Sequence, residues 1–253
     1  MNKPHLLLVL ILFISGTLTI NSCNQDKKQE TNEEAREPDH QDSMDKAHDK
    51  TGEEAGHEHQ HSNTDSAVDS DGSKAWSPSG NGVELIKSDF HFITGNVDNI
   101  KPEVIQGKSG NNVLELTADG TPAAFVFHQK YGNVGLAASI SRLDFKGTLK
   151  LIHHARNMSD YEFVAITDGT MKLGRVKNGK EKVFDQNDFD TSNAGQMLLK
   201  VSAAGTHFKG YIGDETVTHG HGDQMENGFV GLMIEGSGKI QIGSIEVFPL
   251  EAE

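Results

Sequence analysis

Three groups of residues in this 253-residue chain are of types and spacings that could do chemistry. The first is GHEHQHSN, residues 56–63, where His57, His59 and His61 stand at alternate positions, with His40 and His48 upstream and carboxylates between. Imidazole nitrogens and carboxylate oxygens are ligands for Zn(II), Cu(II) or Ni(II), and the carboxylates extend the range to Ca(II). A flexible chain loses conformational entropy when it wraps an ion, and nothing in the stretch orients the rings, so a solvated His-rich spacer is the competing expectation. The second group, HGHGD, sets His219, His221 and Asp223 at alternate positions, so on an extended strand all three share one face and form a three-ligand set for a divalent ion. Against this, Gly220 and Gly222 argue for a loop after the strand. The third, LKLIHHARNMSDYEFVAI, offers His153, His154, Arg156, Tyr161 and Glu162, and the next strand adds Arg175. Arginine gives forked hydrogen bonds to hydroxyls and tyrosine gives a face for a pyranose ring, which makes these six the candidate carbohydrate contacts. The alternative is scaffold, with Leu149 and Leu151 facing the core and His153 and Tyr161 partly buried. One Trp, Trp76, and three Tyr are few aromatics for sugar stacking.

What positions these groups begins at the N-terminus. Residues 6–14, LLLVLILFI, form an apolar run of nine, short of the roughly 20 needed to span a bilayer, and read as a secretory signal. Cys23 is the only cysteine, so a disulfide within the chain is excluded. The INSC at residues 20–23 resembles the lipobox of bacterial lipoproteins: an aliphatic residue at minus three, a small one at minus one, and the cysteine to be lipidated; Asn21 at minus two departs from the commonest pattern. The resemblance implies a signal peptide over 1–22, a lipid on Cys23 that partners a membrane, and an outer-membrane lipoprotein of the cell envelope, facing periplasm or cell surface. Several acyl chains hold such a protein stably, at about 0.8 kcal/mol per buried methylene.

Residues 24–75 contain no Leu, Phe or Tyr and carry 15 acids against 6 bases. Such a stretch cannot bury enough apolar surface to offset the entropy of folding, and residues 23–75 are expected to be a disordered acidic tether. Residues 76–253 carry 22 acids and 16 bases. Neither part has the basic patch that nucleic acid requires. The oligomeric state is not legible.

After Trp76 short β-branched and aromatic runs alternate with turn residues about every ten positions, the all-β signal. YEFVAI, TMKLGRV and KEKVF are joined through Asp168-Gly169 and Asn178-Gly179, whose positive φ suits tight hairpins, so they form a meander. MLLKVSA, THFKGYI and ETVTH form a second, followed by GFVGLMI and a last strand, GKIQIGSIEVF. In that strand the apolar phase shifts from Ile240 and Ile242 to Ile245 and Val247, which places a bulge at Gly243-Ser244. NVLELTA, AAFVFHQ, NVGLAASISRL and GTLKLIHHA precede these, giving about eleven to thirteen strands and no helical period. So many alternating strands need two packed antiparallel sheets, and 178 residues suffice for one core.

GQMLLKVSAAGTHFKGYIGDETV followed by ENGFVGLMIEGSGKIQIGSIEVF is similar to the closing half of concanavalin A-like (laminin G-like) jelly rolls. More specifically it resembles the sugar-associated domain of bacterial lipoproteins named for 3-keto-disaccharide hydrolysis, with YIGD at the place of that family's Asp-Gly and GFVGL as its Gly-x-x-Gly-Leu. The resemblance implies an antiparallel two-sheet jelly-roll sandwich and a sheet face suited to sugars; it implies activity with less force, since the fold serves lectins, hydrolases and interaction modules alike. The related glucanases place Glu-x-Asp-x-Glu acids on one strand, and no such motif occurs after Trp76. The expectation is an envelope module that binds a glycan or another envelope component without catalysis. Two alternatives stand beside it: a hydrolase or lyase of the 3-keto-disaccharide type, and a divalent-metal-binding lipoprotein that uses its His-rich tail.

Overall fold

The computed structural model describes residues 72–190 and 195–251. Among them the alternating runs fold as fourteen strands and two short helices: β1 Lys74–Trp76, α1 Gly82–Asp89, β2 Phe90–Thr94, α2 Val97–Ile100, β3 Glu103–Gln106, β4 Asn112–Asp119, β5 Ala123–Tyr131, β6 Val134–Ser141, β7 Lys146–Asn157, β8 Asp160–Thr167, β9 Thr170–Lys177, β10 Lys180–Asp188, β11 Met197–Ala204, β12 His207–Ile212, β13 Glu215–His221 and β14 Gly228–Pro249. Every pairing is antiparallel.

The long β14 organises the fold. Its first half pairs with β5 and β7, and its second half with β4, β6 and β1. One layer therefore runs β10-β9-β8-β7-β14-β5-β2 and the other β13-β12-β11-β6-β14-β4-β3, a jelly-roll sandwich in which one strand serves both sheets. The sequence divides this stretch into two strands at Glu235-Gly236-Ser237; the structure keeps it unbroken. Gly236 and Gly238 hold positive φ (155° and 110°), so the strand bends from one layer into the other while it stays hydrogen-bonded. The bulge expected from the apolar phase is present: Ile242 pairs with Ile140 and Ser244 with Ser139, which leaves Gly243 unpaired.

The two helices are a second correction to the expectation of strands alone. Asn81 caps α1 by accepting from the backbone N–H groups of Val83 and Glu84, and the helix buries Ile86. At 8 and 4 residues the helices are too short for a 3.6-residue period to show in the sequence.

The core lies between the layers. Leu149, Leu151, Val164, Ile166 and Leu173 of the first meet Leu136, Ile140, Leu199, Val201 and Phe208 of the second. A second apolar set, Val126, Ile152, Tyr161, Phe163 and Met233, occupies the opposite face of the first layer, so β7 and β8 are apolar on both faces. On the open side of the sandwich, the Asn187 side chain donates to the Val217 carbonyl (2.8 Å) and Asp185 accepts from the His219 backbone N–H (2.9 Å), tying β10 to β13.

Candidate functional site

β7 carries a bulge near its end. Its pairing with β8 shifts register after His153, and His154 takes a left-handed φ of 49°. That conformation, tolerated by His more than by most residues, turns both imidazoles to one place, with Nδ1 atoms 2.8 Å apart. Glu162 pairs with His153 on one side and Arg175 on the other, so all four side chains converge at one end of the sandwich interior.

The Glu162 Oε2 lies 2.8 Å from His154 Nδ1 and 3.4 Å from His153 Nδ1. Its Oε1 accepts from Arg175 Nε at 2.9 Å and also from Arg175 Nη2. The guanidinium lies 5.4 Å and 5.6 Å from the ring centroids of Phe184 and Phe208, and its Nη2 donates to the Asp223 carbonyl. Burial lowers His153 to about 3, so that ring is neutral. Burial alone would raise Glu162, but His154, His153 and Arg175 outweigh it and hold the carboxyl below its ordinary range.

Two imidazoles and a carboxylate have the chemistry of a metal set, and their ligand atoms lie within 4.8 Å of one another. The charge does not suit one. Arg175 already neutralises Glu162. A divalent cation would therefore leave two positive charges uncompensated in the interior, where desolvation costs several kcal/mol per ion. The cluster has the geometry of a buried, hydrogen-bonded polar network.

Of the six candidate carbohydrate contacts, His153, His154, Glu162, Arg175 and Tyr161 are buried. His153, Glu162 and Arg175 share the strand faces of Leu151, Val164 and Leu173 and so point into the core, the bulge brings His154 to them, and Tyr161 packs in the apolar set on the opposite face, so none of the five offers an open face to a sugar ring. Arg156 is exposed and bonded to Glu226 (2.9 Å). Cys23, His40, His48, His57, His59 and His61 lie outside the described residues.

HGHGD divides. His219 and His221 are on β13, which continues through Gly220 where the sequence favoured a loop; a Cβ at Gly220 would stand 2.7 Å from Phe184 Cβ, so glycine is needed for β13 to lie flush on that ring. Asp223 falls past the strand's end, where it offers Arg175 its carbonyl. The third member of the group is His207 on β12, paired directly opposite His221. The sequence signal for it was THFKGYI preceding ETVTHGH across Gly213-Asp214, a hairpin that had to bring some residue of β12 against the histidines.

At the other end of the sandwich, loops between strands enclose a cleft of about 510 Å³, lined by Lys108, Arg142, Leu143, Phe145, Asp168, Phe189, Gly195 and Met197. A smaller recess of about 220 Å³ shares Lys108, Leu143 and Gly195 and adds Ser141, Gln196 and Gln241. Arg142 donates to the Gly147 carbonyl (3.1 Å) and to Asp168 (3.3 Å), and its guanidinium lies 5.7 Å from the Phe145 ring centroid. Asp168 is the one carboxylate among the described residues that line either space. The mixture of a few polar groups with apolar walls is that of small-ligand sites. Sequence reading missed it because its residues come from five separate loops and strand ends.

No protein-family model matches this chain, and no curated protein matches it. Among solved structures, Bacillus licheniformis β-glucanase superposes with a TM-score of 0.51 at 11% identity, over 72% of this chain and 100% of that one. A structure described as a native glycosidic hydrolase gives 0.51 at 10% identity, over 74% and 100%. Carbohydrate-binding module CBM66 from Bacillus subtilis gives 0.46 at 14%, over 64% and 94%. At these identities the likeness to the two enzymes is one of fold, and it is that of the antiparallel jelly roll described above.

Proposed function

We propose that this chain is a non-catalytic binding module of the bacterial envelope, anchored through a lipid on Cys23, held off the membrane by its acidic tether, and taking carbohydrate in the cleft at the loop end of the sandwich. The observation that carries the proposal is that Asp168, the one acid among the described residues that line the cleft, is engaged by Arg142. Glycoside hydrolysis with two enzymatic carboxyls needs a pair about 5 to 9.5 Å apart. Lys108, Arg142 and Gln196 supply donors for hydroxyls, while Leu143, Phe145 and Phe189 supply apolar walls for the ring faces. A fold shared with a β-glucanase supports the substrate class without supplying its chemistry.

The test is a glycan array probed with the full-length protein beside turnover assays on mixed-linkage β-glucan and on 3-keto-glycosides. Hydrogen bonds that water contests contribute about 0.5 to 1.5 kcal/mol each, so dissociation constants near millimolar are expected. Lys108→Ala and Gln196→Ala weaken binding, and no product is released. Turnover by the wild-type chain, or binding indifferent to both substitutions, contradicts the proposal.

A further inference from the structure

The β12–β13 hairpin contains a one-residue irregularity with a large effect. From the turn, Ile212 pairs with Glu215 and Tyr211 with Thr216, but Gly210 pairs with Thr218, so Val217 has no partner. Had the regular register continued, His219 would face Phe208, whose side chain is in the core. The bulge changes the parity. His219 now stands opposite Lys209 and His221 opposite His207, and all three histidines project from the solvent side of the second layer.

The rings are close. Centroids are 4.5 Å apart for His207 and His221, 4.6 Å for His219 and His221, and 6.3 Å for the diagonal pair His207 and His219. One nitrogen from each lies within 4.8 Å of the others. A tetrahedral zinc with bonds of about 2.0 to 2.1 Å holds its nitrogens roughly 3.3 Å apart. The exposed His219 and His221 close that difference by rotation about their side-chain bonds. Their backbone is fixed: Asp185 accepts from the His219 N–H, Asn187 donates to Val217, and the Gly222 N–H donates to the Thr206 carbonyl at 3.0 Å.

We propose that His207, His219 and His221 form a surface site for one divalent transition-metal ion of the zinc and copper class, with three imidazole ligands from two paired strands and the remaining coordination positions open to solvent. Neutral nitrogen ligands without a carboxylate select against Ca(II) and Mg(II) and suit Zn(II), Cu(II) and Ni(II). Unlike the interior cluster, this site faces water, so the ion's charge carries no interior desolvation penalty. The site shares no residue with the described lining of the cleft proposed for glycan.

The test uses the full-length chain with His40, His48, His57, His59 and His61 all changed to alanine, titrated with zinc chloride and copper chloride by calorimetry. One ion per chain is expected. His207→Ala, His207→Gln, His219→Ala and His221→Ala each weaken binding by roughly tenfold or more, at least the size of effect that a lost outer-shell partner has on metal affinity. Asp223→Ala leaves it unchanged. Co(II) gives the visible absorption of a nitrogen-ligated tetrahedral site in the parent and loses it in His207→Gln, with thermal melting confirming that each variant is folded. Absence of binding in the tail-silenced chain, or affinity indifferent to both His207 variants, overturns the proposal.

Discussion

Arg175 and Glu162 face each other across the β8–β9 ladder with both side chains buried, the guanidinium donating twice to one carboxylate oxygen. The pair closes one end of the sandwich, since the same guanidinium reaches the Asp223 carbonyl and so ties the first layer to the loop between β13 and β14. Four of the six candidate sugar contacts, His153, His154, Glu162 and Arg175, are in this way a polar plug of the core.

Removing one partner leaves the other charged and unpaired in the interior. Glu162→Gln is expected to destabilise the fold by about 3 to 5 kcal/mol, the cost of breaking a buried ion pair from one side. Urea denaturation of the full-length chain measures it; a loss under about 1 kcal/mol would mean the pair is solvated.

Acid acts on the same cluster. His153 is lowered to about 3 from an ordinary 6.5, so between these values the unfolded chain binds a proton that the folded chain does not, and stability falls as pH falls through that window. The slope approaches about 1.4 kcal/mol per pH unit well inside it. Glu162, lowered when folded, adds stability above its ordinary range that is lost as pH drops through the folded value, so both effects have the same sign. Denaturation midpoints at pH 8, 6.5, 5 and 4 should fall steadily below 6.5, and His153→Gln should flatten the slope. Equal stability at pH 7 and pH 5 in the wild type would contradict this.

Gly220→Ala tests the seating of β13. The added Cβ would lie 2.7 Å from the Cβ of Phe184, a partly buried ring packed against the core, and 3.1 Å from Cδ2 of the buried Leu173. Overpacking of that kind costs about 1 to 3 kcal/mol, read as a lowered melting temperature. An unchanged melting temperature would show that β13 moves freely on Phe184.

The meanders were legible because Asp168-Gly169 and Asn178-Gly179 supply the backbone that their turns demand, and the bulge at Gly243 because an apolar phase cannot change parity without an extra residue. What was illegible follows from the same physics. The unpaired Val217 leaves no mark on composition, yet it decides that His207 joins His219 and His221. Alternation carried past the strand's end assigned Asp223 to the group wrongly. The left-handed His154 could not be read from two adjacent histidines, and it is what brings the second ring beside His153, which already faces inward with Leu149 and Leu151. Gly236 and Gly238 have the composition of a turn and act as a bend within β14.

Cys23→Ala tests the proposed anchor. Acylated protein stays with membranes through carbonate washing, since a pair of acyl chains exceeds reversible single-chain binding. The variant is expected in the soluble fraction, and a variant that remains membrane-bound would exclude lipidation as the anchor.

The most direct measurement of the central claim is a backbone amide shift map of the full-length protein titrated with a mixed-linkage β-glucan tetrasaccharide to tens of millimolar, with product release followed in the same tube. Shifts are predicted to gather at Lys108, Arg142, Leu143, Asp168 and Gln196, with no sugar released. Absence of shifts there, shifts centred on Tyr161 and Arg175 instead, or cleavage of the tetrasaccharide would contradict a non-catalytic glycan site at the loop end of the sandwich.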